Sequence, residues 1–211
     1  MAQMIAPLLV TILVSYFLGN INGAITVSNL FEKDDVRSHG SGNAGMTNFL
    51  RSYGMRRTGL VMLIDLGKTL LSCFLGRVLL EPFGYALEGT MLAGFFVSLG
   101  HDFPILQGFR GGKGIACGLG FALACDWRLA IVALAVFAIL VLLTKYVSLG
   151  SCVATVVVGT WLTLFNLDKP WLIVFAWAAC GLALFMHRGN IKRLIQGNER
   201  KISLRHKEEK T

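Results

Sequence analysis

The residues best suited to chemistry lie in short polar segments, the first of which reads Gly40-Ser41-Gly42-Asn43-Ala44-Gly45-Met46-Thr47-Asn48-Phe49-Leu50-Arg51. Glycine allows backbone N–H groups to converge on an anion, and Ser, Thr and Asn side chains donate further hydrogen bonds. The last three residues are typical of the start of a helix, and helix N-termini attract phosphate. The segment therefore favours an anion site over the alternative, a flexible solvated loop.

A second polar segment, Gly108-Phe109-Arg110-Gly111-Gly112-Lys113-Gly114, surrounds one lysine with glycines just before an apolar stretch. It is not a nucleotide-binding P-loop, because position 107 is Gln and Gly114 stands where Ser or Thr would bind magnesium. We therefore expect phosphate binding without a nucleotide. The alternative is a glycine turn whose lysine only flanks a membrane span.

The third polar segment, residues 187–199, follows the last apolar stretch. Its apolar residues recur at helical spacing with basic residues between them, which predicts a short helix at the membrane interface. The alternative is a basic tail that only binds anionic lipid headgroups.

Two charged residues lie deeper, within an apolar stretch. Asp65 and Lys68 are three positions apart, so they share a helix face and are able to pair. Charge inside a membrane is costly and is usually functional. The sequence leaves two interpretations open, an active-site wall and a structural ion pair. His101 and Asp102 stand at the end of another apolar stretch, where either capping or substrate contact is plausible.

Long apolar elements must position these segments. The chain has 211 residues, 55% hydrophobic and 15% charged, with a mean hydropathy of +0.63, against roughly 25% charged residues in a soluble domain. We predict an all-α membrane protein of one domain, residues 1–211, with seven transmembrane helices, of which the fourth is short for a span. Six spans is the alternative count. The predicted helices are Ala6–Leu30, Thr58–Leu80, Gly84–Gly100, Gly114–Cys125, Leu129–Thr144, Tyr146–Phe165 and Pro170–Met186.

The distribution of Lys and Arg predicts the orientation, because basic residues near span ends stay in the cytoplasm. Most of them fall in 31–57, 101–113 and 187–211, and Lys145 follows the fifth span on the same side. The opposite side has only Arg128 and Lys169, and Lys68 and Arg77 fall within the second span. The N-terminus is therefore expected outside, with residues 187–211 forming a cytoplasmic basic tail. All three polar segments then meet on the cytoplasmic side.

In this order, the three segments resemble the bacterial acyl-phosphate:glycerol-3-phosphate acyltransferases of the PlsY type. The resemblance covers residues from about 19 to 201, with Met46 and Cys117 departing from the usual pattern. It is carried by Ser41-Gly42-Asn43-x-Gly45-x-Thr47-Asn48-x-x-Arg51, by Gly100-His101-x-Phe103-Pro104 with Gly111-Gly112-Lys113-Gly114, and by His187-Arg188-x-Asn190-Ile191-x-Arg193-Leu194 through Gly197 and Glu199.

The resemblance implies transfer of a fatty acyl group from acyl phosphate to the 1-hydroxyl of glycerol 3-phosphate. The products would be 1-acylglycerol 3-phosphate (lysophosphatidic acid) and inorganic phosphate, the first acylation of phospholipid synthesis. The expected setting is a multi-pass monomer of the bacterial inner membrane whose site faces the cytoplasm. Glycerol 3-phosphate, acyl phosphate and membrane lipid are its expected partners. No cofactor, metal or nucleic acid is expected.

Site residues are also implied by the resemblance. The catalytic set is Lys113, Arg51, His187 and Asn190, and part of the tail thus belongs to the active site. The substrate-binding set is Ser41, Gly42, Asn43, Thr47, Asn48, His101, Gly111, Gly112, Gly114, Arg193 and Glu199.

The identity of the general base stays open at this stage. His187, His101 and the phosphate of the substrate itself are the candidates, since imidazole titrates near neutrality. No His-x4-Asp acyltransferase motif and no Gly-x-Ser-x-Gly nucleophile elbow are present. The competing class is a transporter of a phosphorylated solute.

Overall fold

The computed structural model describes residues 2–202, so residues 203–211 of the predicted basic tail lie outside the described part. Within that range every regular element is a helix, as predicted. The helices are α1 (Ala2–Gly19), α2 (Gly23–Val27), α3 (Met46–Tyr53), α4 (Thr58–Leu80), α5 (Ala86–Asp102), α6 (Ile115–Cys125), α7 (Trp127–Thr144), α8 (Val147–Leu164), α9 (Pro170–Met186) and α10 (Arg188–Ile195).

Each predicted apolar segment contains a helix, and the bounds of α4 and α9 agree with the prediction. By length and composition, three helices of the described residues are able to cross a membrane, Thr58–Phe83, Trp127–Thr144 and Val147–Leu164. The number rises to five if the bent pairs α1 with α2 and α9 with α10 each form one span. Helix α6 has 11 residues and is short for a span, as predicted for the fourth apolar segment. The seven-span count and the orientation of the termini stay predictions.

The first apolar segment is interrupted between Gly19 and Gly23, where the backbone loses its helical hydrogen bonds. Lys68 of α4 donates from Nζ to the carbonyl oxygens of Gly19 at 3.1 Å and Ile21 at 2.7 Å. Asp65 Oδ1 accepts from the backbone N–H of Gly23 at 3.0 Å and lies 2.9 Å from Lys68 Nζ. Because unpaired backbone groups are costly in an apolar medium, this buried ion pair stabilises the break.

Close backbone contact joins α4 to α5. A Cβ atom on Gly76 would overlap the backbone of Gly89, and the reverse also holds. Such small-residue contacts are a common means of helix association in membranes. They bring the C-terminal end of α5, with His101, against the Asp65–Lys68 pair of α4.

Two apolar clusters flank the polar region. One is built around Met91, Phe121, Leu129, Leu162 and Leu172 and joins α5 to α9. The other packs residues of α2, α3 and α4 together, including Ile25, Phe49 and Val61. The second cluster lies under the first polar segment and fixes α3 in place.

Candidate active site

The three polar segments, which are far apart in the chain, meet around one cavity of about 610 Å³. All four residues of the predicted catalytic set line it. The predicted binding residues that line it are Ser41, Gly42, Asn43, Thr47, Asn48, His101, Gly114, Arg193 and Glu199. Gly111 and Gly112 do not line the cavity.

Gly111 and Gly112 were expected to contact substrate, but they pack against His101 and Ala44. The N–H of Gly112 donates to the carbonyl of His101 at 3.1 Å, and the carbonyl of Gly111 accepts from the N–H of Ala44 at 3.3 Å. A Cβ on Gly111 would overlap the carbonyl of His101, and one on Gly112 would overlap the His101 ring. These glycines therefore allow the first two polar segments to pack together behind the cavity wall, and the prediction that they contact substrate is not supported by their position.

Asn48 of α3 shapes the first polar segment. Its Oδ1 accepts from the N–H of Ser41 at 2.9 Å, and its Nδ2 donates to the carbonyls of Val36 and His39, each at 3.0 Å. Gly40, at φ 56°, fits against this amide, where a Cβ would overlap Asn48 Oδ1. Both side-chain N–H bonds of Asn48 are thus engaged within the protein, so the side chain supports the loop and has no free N–H for a phosphate.

The N-terminus of α3 is open toward the cavity. Gly45 precedes it and no side chain caps it, so the first backbone N–H groups of α3 retain their capacity to bind an anion. Thr47 and Arg51 lie one turn apart on this helix, and both line the cavity. This corner therefore combines backbone donors, a hydroxyl and a guanidinium.

Lys113 projects into the cavity from the second polar segment and donates to Oδ1 of Asn190. Burial lowers the pKa of the Lys113 ammonium below its ordinary value, the positive charge of Arg193 lowers it further, and the Glu199 carboxylate acts in the opposite direction. Gly114, at φ 65°, then begins α6. The ammonium thus stands at the N-terminal end of a helix, among other cations.

Glu199 lines the cavity and forms hydrogen bonds with three neighbouring side chains. Its Oε1 accepts from Ser148 Oγ at 2.9 Å and from Asn190 Nδ2 at 2.7 Å, while Oε2 accepts from Arg193 Nε at 2.8 Å. Burial raises the pKa of this carboxyl, but the bonds from Asn190, Arg193 and Ser148 outweigh burial and hold the pKa below its ordinary value. A carboxylate in this state repels phosphate, so its contacts favour a positioning role, and the expected role in substrate binding stays a prediction.

The tautomer of His187 follows from its partner. Nδ1 lies 2.8 Å from the carbonyl oxygen of Ala183, one turn back on α9. A carbonyl only accepts hydrogen bonds, so Nδ1 carries the proton and Nε2 keeps its lone pair in the neutral ring. His187 therefore has the geometry of a proton acceptor at the cavity wall.

An apolar groove of about 280 Å³ adjoins the cavity. The residues that line both are Met46, Lys113, Gly114, Ile115, Ala116, Phe137 and Ser151. At the rim of the groove, Met62 and Leu134 are 37% and 50% exposed. The groove therefore extends from Lys113 to the outer, apolar surface of the helices.

Asp65, His101 and Cys117 place potential metal ligands within 4.8 Å of one another. The Lys68 ammonium, however, is 2.9 Å from both Asp65 Oδ1 and His101 Nδ1. A metal ion there would have to displace an existing cation, so the cluster is better described as an ion-pair network.

A protein-family model described as glycerol-3-phosphate acyltransferase matches residues 9–197. The chain belongs to this family. The glycerol-3-phosphate acyltransferase of Finegoldia magna is 41% identical over 194 residues, which cover 90% of this chain and 93% of the relative. That of Thermoanaerobacter pseudethanolicus is 37% identical over 192 residues, with 91% and 94% covered.

Solved structures agree with this assignment. The chain superposes with a TM-score of 0.84 and 30% identity on the glycerol 3-phosphate form of PlsY, an integral membrane glycerol 3-phosphate acyltransferase, covering 93% of this chain and 96% of that one. The lysophosphatidic acid form of PlsY gives a TM-score of 0.81 at 29% identity. The predicted resemblance is confirmed, and the chain is an integral membrane acyltransferase of phospholipid synthesis.

Several residues that line the cavity of this glycerol-3-phosphate acyltransferase are outside the predicted catalytic and substrate-binding sets, although Asp65 was considered as an active-site wall. They are Gly40, Gly45, Met46, Asp65, Ile115, Ala116, Phe137, Val147, Ser148, Ser151, Met186, Arg188, Gly189 and Arg200. Ser148 and Ser151 lie on α8, whose sequence is otherwise typical of an apolar span. Ser151 donates to the carbonyl of Val147 on its own helix, whereas Ser148 donates to Glu199. No local signal in the sequence distinguishes these two hydroxyls, so only the packing of α8 against the tail shows that they line the cavity.

Proposed function

We propose that this acyltransferase transfers a fatty acyl group from acyl phosphate to the 1-hydroxyl of glycerol 3-phosphate, forming 1-acylglycerol 3-phosphate and inorganic phosphate. One observation carries the proposal: a polar cavity lined by Arg51, Lys113 and Arg193 adjoins an apolar groove, and Lys113 lines both. A donor with a charged head and a hydrocarbon tail fits both compartments, and the polar acceptor fits the cavity alone.

Acyl phosphate suits this site because it is already an activated mixed anhydride. The cavity then needs to orient two reactants and to stabilise the charge that develops on the leaving phosphate. Among the described lining residues there is no cysteine, and no lining hydroxyl is hydrogen-bonded to a histidine. The lining therefore favours direct transfer between the two substrates over a covalent enzyme intermediate.

The two phosphates are assigned to different corners. The α3 N-terminus with Ser41, Thr47 and Arg51 holds the phosphate of glycerol 3-phosphate. Lys113, at the junction of cavity and groove, holds the acyl phosphate head. Asn190 and Arg193 of α10 close the cavity from the opposite side.

His187 is our proposed general base. The 1-hydroxyl oxygen forms a bond to the acyl carbon, the bond from that carbon to the phosphate oxygen breaks, and phosphate leaves with the electron pair. The hydroxyl proton passes to Nε2 of His187, whose lone pair is left free by the bond from Nδ1 to Ala183. The alternative acceptor is the phosphate of glycerol 3-phosphate itself. A His187→Gln variant that keeps more than about a tenth of the wild-type kcat would favour the alternative, since a general base contributes about 10²–10⁴-fold.

We also propose the predicted setting: seven spans in one domain of a bacterial inner membrane, N-terminus outside, C-terminus and active site in the cytoplasm, and a monomer. The basic residues of 31–57, 101–113 and 187–211 support this orientation, and it gives soluble glycerol 3-phosphate access to the cavity from the cytoplasm.

The test uses detergent-purified full-length protein with palmitoyl phosphate and glycerol 3-phosphate. We expect equal amounts of phosphate and 1-acylglycerol 3-phosphate, and no product when acyl-CoA or acyl carrier protein is the only donor. Lys113→Ala should lose at least about 100-fold in kcat, the usual effect of removing one charge-stabilising donor. Lys192→Ala, on the exposed part of α10, serves as the control. Equal rates with acyl-CoA would overturn the proposed donor.

A further inference from the structure

A buried histidine and a buried lysine contact each other inside the helix bundle. Their contact indicates which nitrogen of the imidazole ring carries a proton. His101, at the end of α5, is 3% exposed, and Lys68, on α4, is 6% exposed. Lys68 Nζ lies 2.9 Å from His101 Nδ1. An ammonium has only N–H donors, so this contact is favourable only if Nδ1 presents a lone pair.

A second donor approaches the same ring nitrogen. Asn22 Nδ2 lies 3.5 Å from His101 Nδ1 and donates to the carbonyl of Ala44 at 3.0 Å. The orientation of this amide is fixed, because its Oδ1 accepts from the N–H of Ile25 at 3.1 Å. Two independent donors thus face Nδ1.

One acceptor also lies near that nitrogen. Asp65 Oδ1 is 3.4 Å from His101 Nδ1, farther than Lys68 Nζ. If Asp65 drew a second proton onto the ring, the result would be an imidazolium, which still carries a proton on Nε2. Only the neutral Nδ1–H tautomer lacks a proton on Nε2, and the two donors disfavour that tautomer. In every favoured state Nε2 is therefore a donor.

This Nε2–H belongs to a ring that lines the site. His101 lines the polar cavity, and Nε2 forms no hydrogen bond with the part of the chain that the structure describes. A Cβ on Gly112 would overlap Nε2, so the backbone of Gly112, next to Lys113, packs close to this nitrogen. The donor is thus free for an oxygen that carries negative charge.

We infer that Lys68 is a positioning residue that fixes His101 as a hydrogen-bond donor, not a base, aimed at an anionic phosphate oxygen in the cavity. The identity of the phosphate rests on the proposed function, whereas the proton position rests only on the contacts of the ring. His101 and His187 then have opposite tautomers and opposite roles, donor and acceptor.

The direct test is ¹⁵N NMR of full-length protein labelled with [¹⁵N]histidine, since the ¹⁵N shift distinguishes a protonated ring nitrogen from an unprotonated one. His101→Gln and His187→Gln assign the two signals by their loss. We expect a proton on Nε2 of His101 and on Nδ1 of His187. A His101 ring with its only proton on Nδ1 would overturn the inference. Because this measurement needs no substrate, it holds or fails independently of the acyl transfer assay.

Lys68 is tested together with Asp65, so that no unpaired charge is left inside the helix bundle, although the carbonyls of Gly19 and Ile21 lose their Lys68 donor. The double variant Asp65→Asn/Lys68→Met removes both charges and leaves an acceptor for the Gly23 N–H. We expect the Nδ1–H form of His101 to become detectable in it. Arg77→Met, which removes an exposed cation from the same helix, should leave the His101 signal unchanged. An unchanged signal in the folded double variant would exclude Lys68 as the residue that fixes the tautomer.

Steady-state kinetics distinguish a hydrogen-bond donor from a general base at position 101. His101→Gln keeps an N–H group and should stay within about 10-fold of wild-type kcat/KM, whereas His101→Leu should lose roughly 10–100-fold, the effect of a charge-assisted hydrogen bond. If His101→Gln and His101→Leu were equally impaired by more than 100-fold, the donor role would be wrong.

Discussion

The ammonium of Lys113 donates to the side-chain oxygen of Asn190, which lies 77 positions later in the chain. The amide nitrogen of the same Asn190 donates to Glu199. Because Glu199 only accepts, it orients the Asn190 amide so that the oxygen faces Lys113. Lys113, the proposed catalytic lysine, is thus positioned by a carboxylate that does not touch it.

Glu199→Gln should therefore lower activity without a change at the reacting atoms. Glutamine keeps an acceptor but loses the charge-assisted bonds, which contribute about 1.5–3 kcal/mol each, so we expect kcat/KM to fall roughly 10–100-fold. Steady-state rates of phosphate release measure the effect. Glu81→Gln, at an exposed position on the turn after α4, is the control and should leave the rate unchanged. A Glu199→Gln variant with the wild-type rate of phosphate release would contradict the positioning role.

Acid should weaken the attachment of the tail. The folded pKa of Glu199 lies below its ordinary value of 4.5, so its bonds contribute stability above pH 4.5 that is lost as the pH falls through the folded value. We expect the thermal midpoint of the wild type to decrease more steeply than that of Glu199→Gln between pH 6 and pH 3.5. If the thermal midpoints of the two proteins fell in parallel with pH, protonation of Glu199 would not be the cause of the acid destabilisation.

Alkali should inactivate the enzyme through Lys113. The charged form is the active one and its pKa lies below 10.5, so the rate should decline as the pH rises through a value lower than that of an ordinary lysine. Lys113→Arg keeps its charge beyond pH 12. We expect this variant to be slower than the wild type at pH 7.5, but its rate should begin to decline only at a higher pH. Initial rates from pH 7 to 10.5 measure both effects. Lys192→Arg should not move the decline.

The apolar groove should set acyl-chain preference. Ala154 of α8 lines it, and Ala154→Phe would fill part of its volume. Overpacking costs about 1–3 kcal/mol, so we expect kcat/KM for palmitoyl phosphate to fall roughly 10–100-fold with a smaller loss for decanoyl phosphate. Ala135→Phe, exposed on α7 and outside the groove, is the matched control. Equal losses of kcat/KM for palmitoyl and decanoyl phosphate would indicate that the acyl chain does not bind in this groove.

Helical periodicity and residue type predicted the helices well, because an apolar stretch in a membrane has few alternatives to a helix. The break at Asn20–Asn22 was not predicted. It depends on Lys68 and Asp65, which are remote in sequence, and the two interpretations of that pair both describe the molecule: the pair stabilises the break, and Asp65 lines the cavity.

Within the site, motifs located the cavity but not the partner of each side chain. Asn48 and Glu199 have residue types that suit a ligand, yet their hydrogen bonds go to Ser41 and Asn190. Gly111 and Gly112 suit a phosphate loop, yet they permit close contact with His101. A sequence shows which groups are able to donate or accept, whereas only the fold shows which of them are already engaged.

The broken first span also bears on how the chain is assembled in the bilayer. The carbonyls of Gly19 and Ile21 find their donor 49 and 47 residues later, in Lys68. Until α4 is inserted beside α1, lipid would face unsatisfied carbonyls on one helix and a charged pair on the other, and neither is stable there. The first two spans are therefore interdependent, and we expect the translocation machinery to release them as a pair.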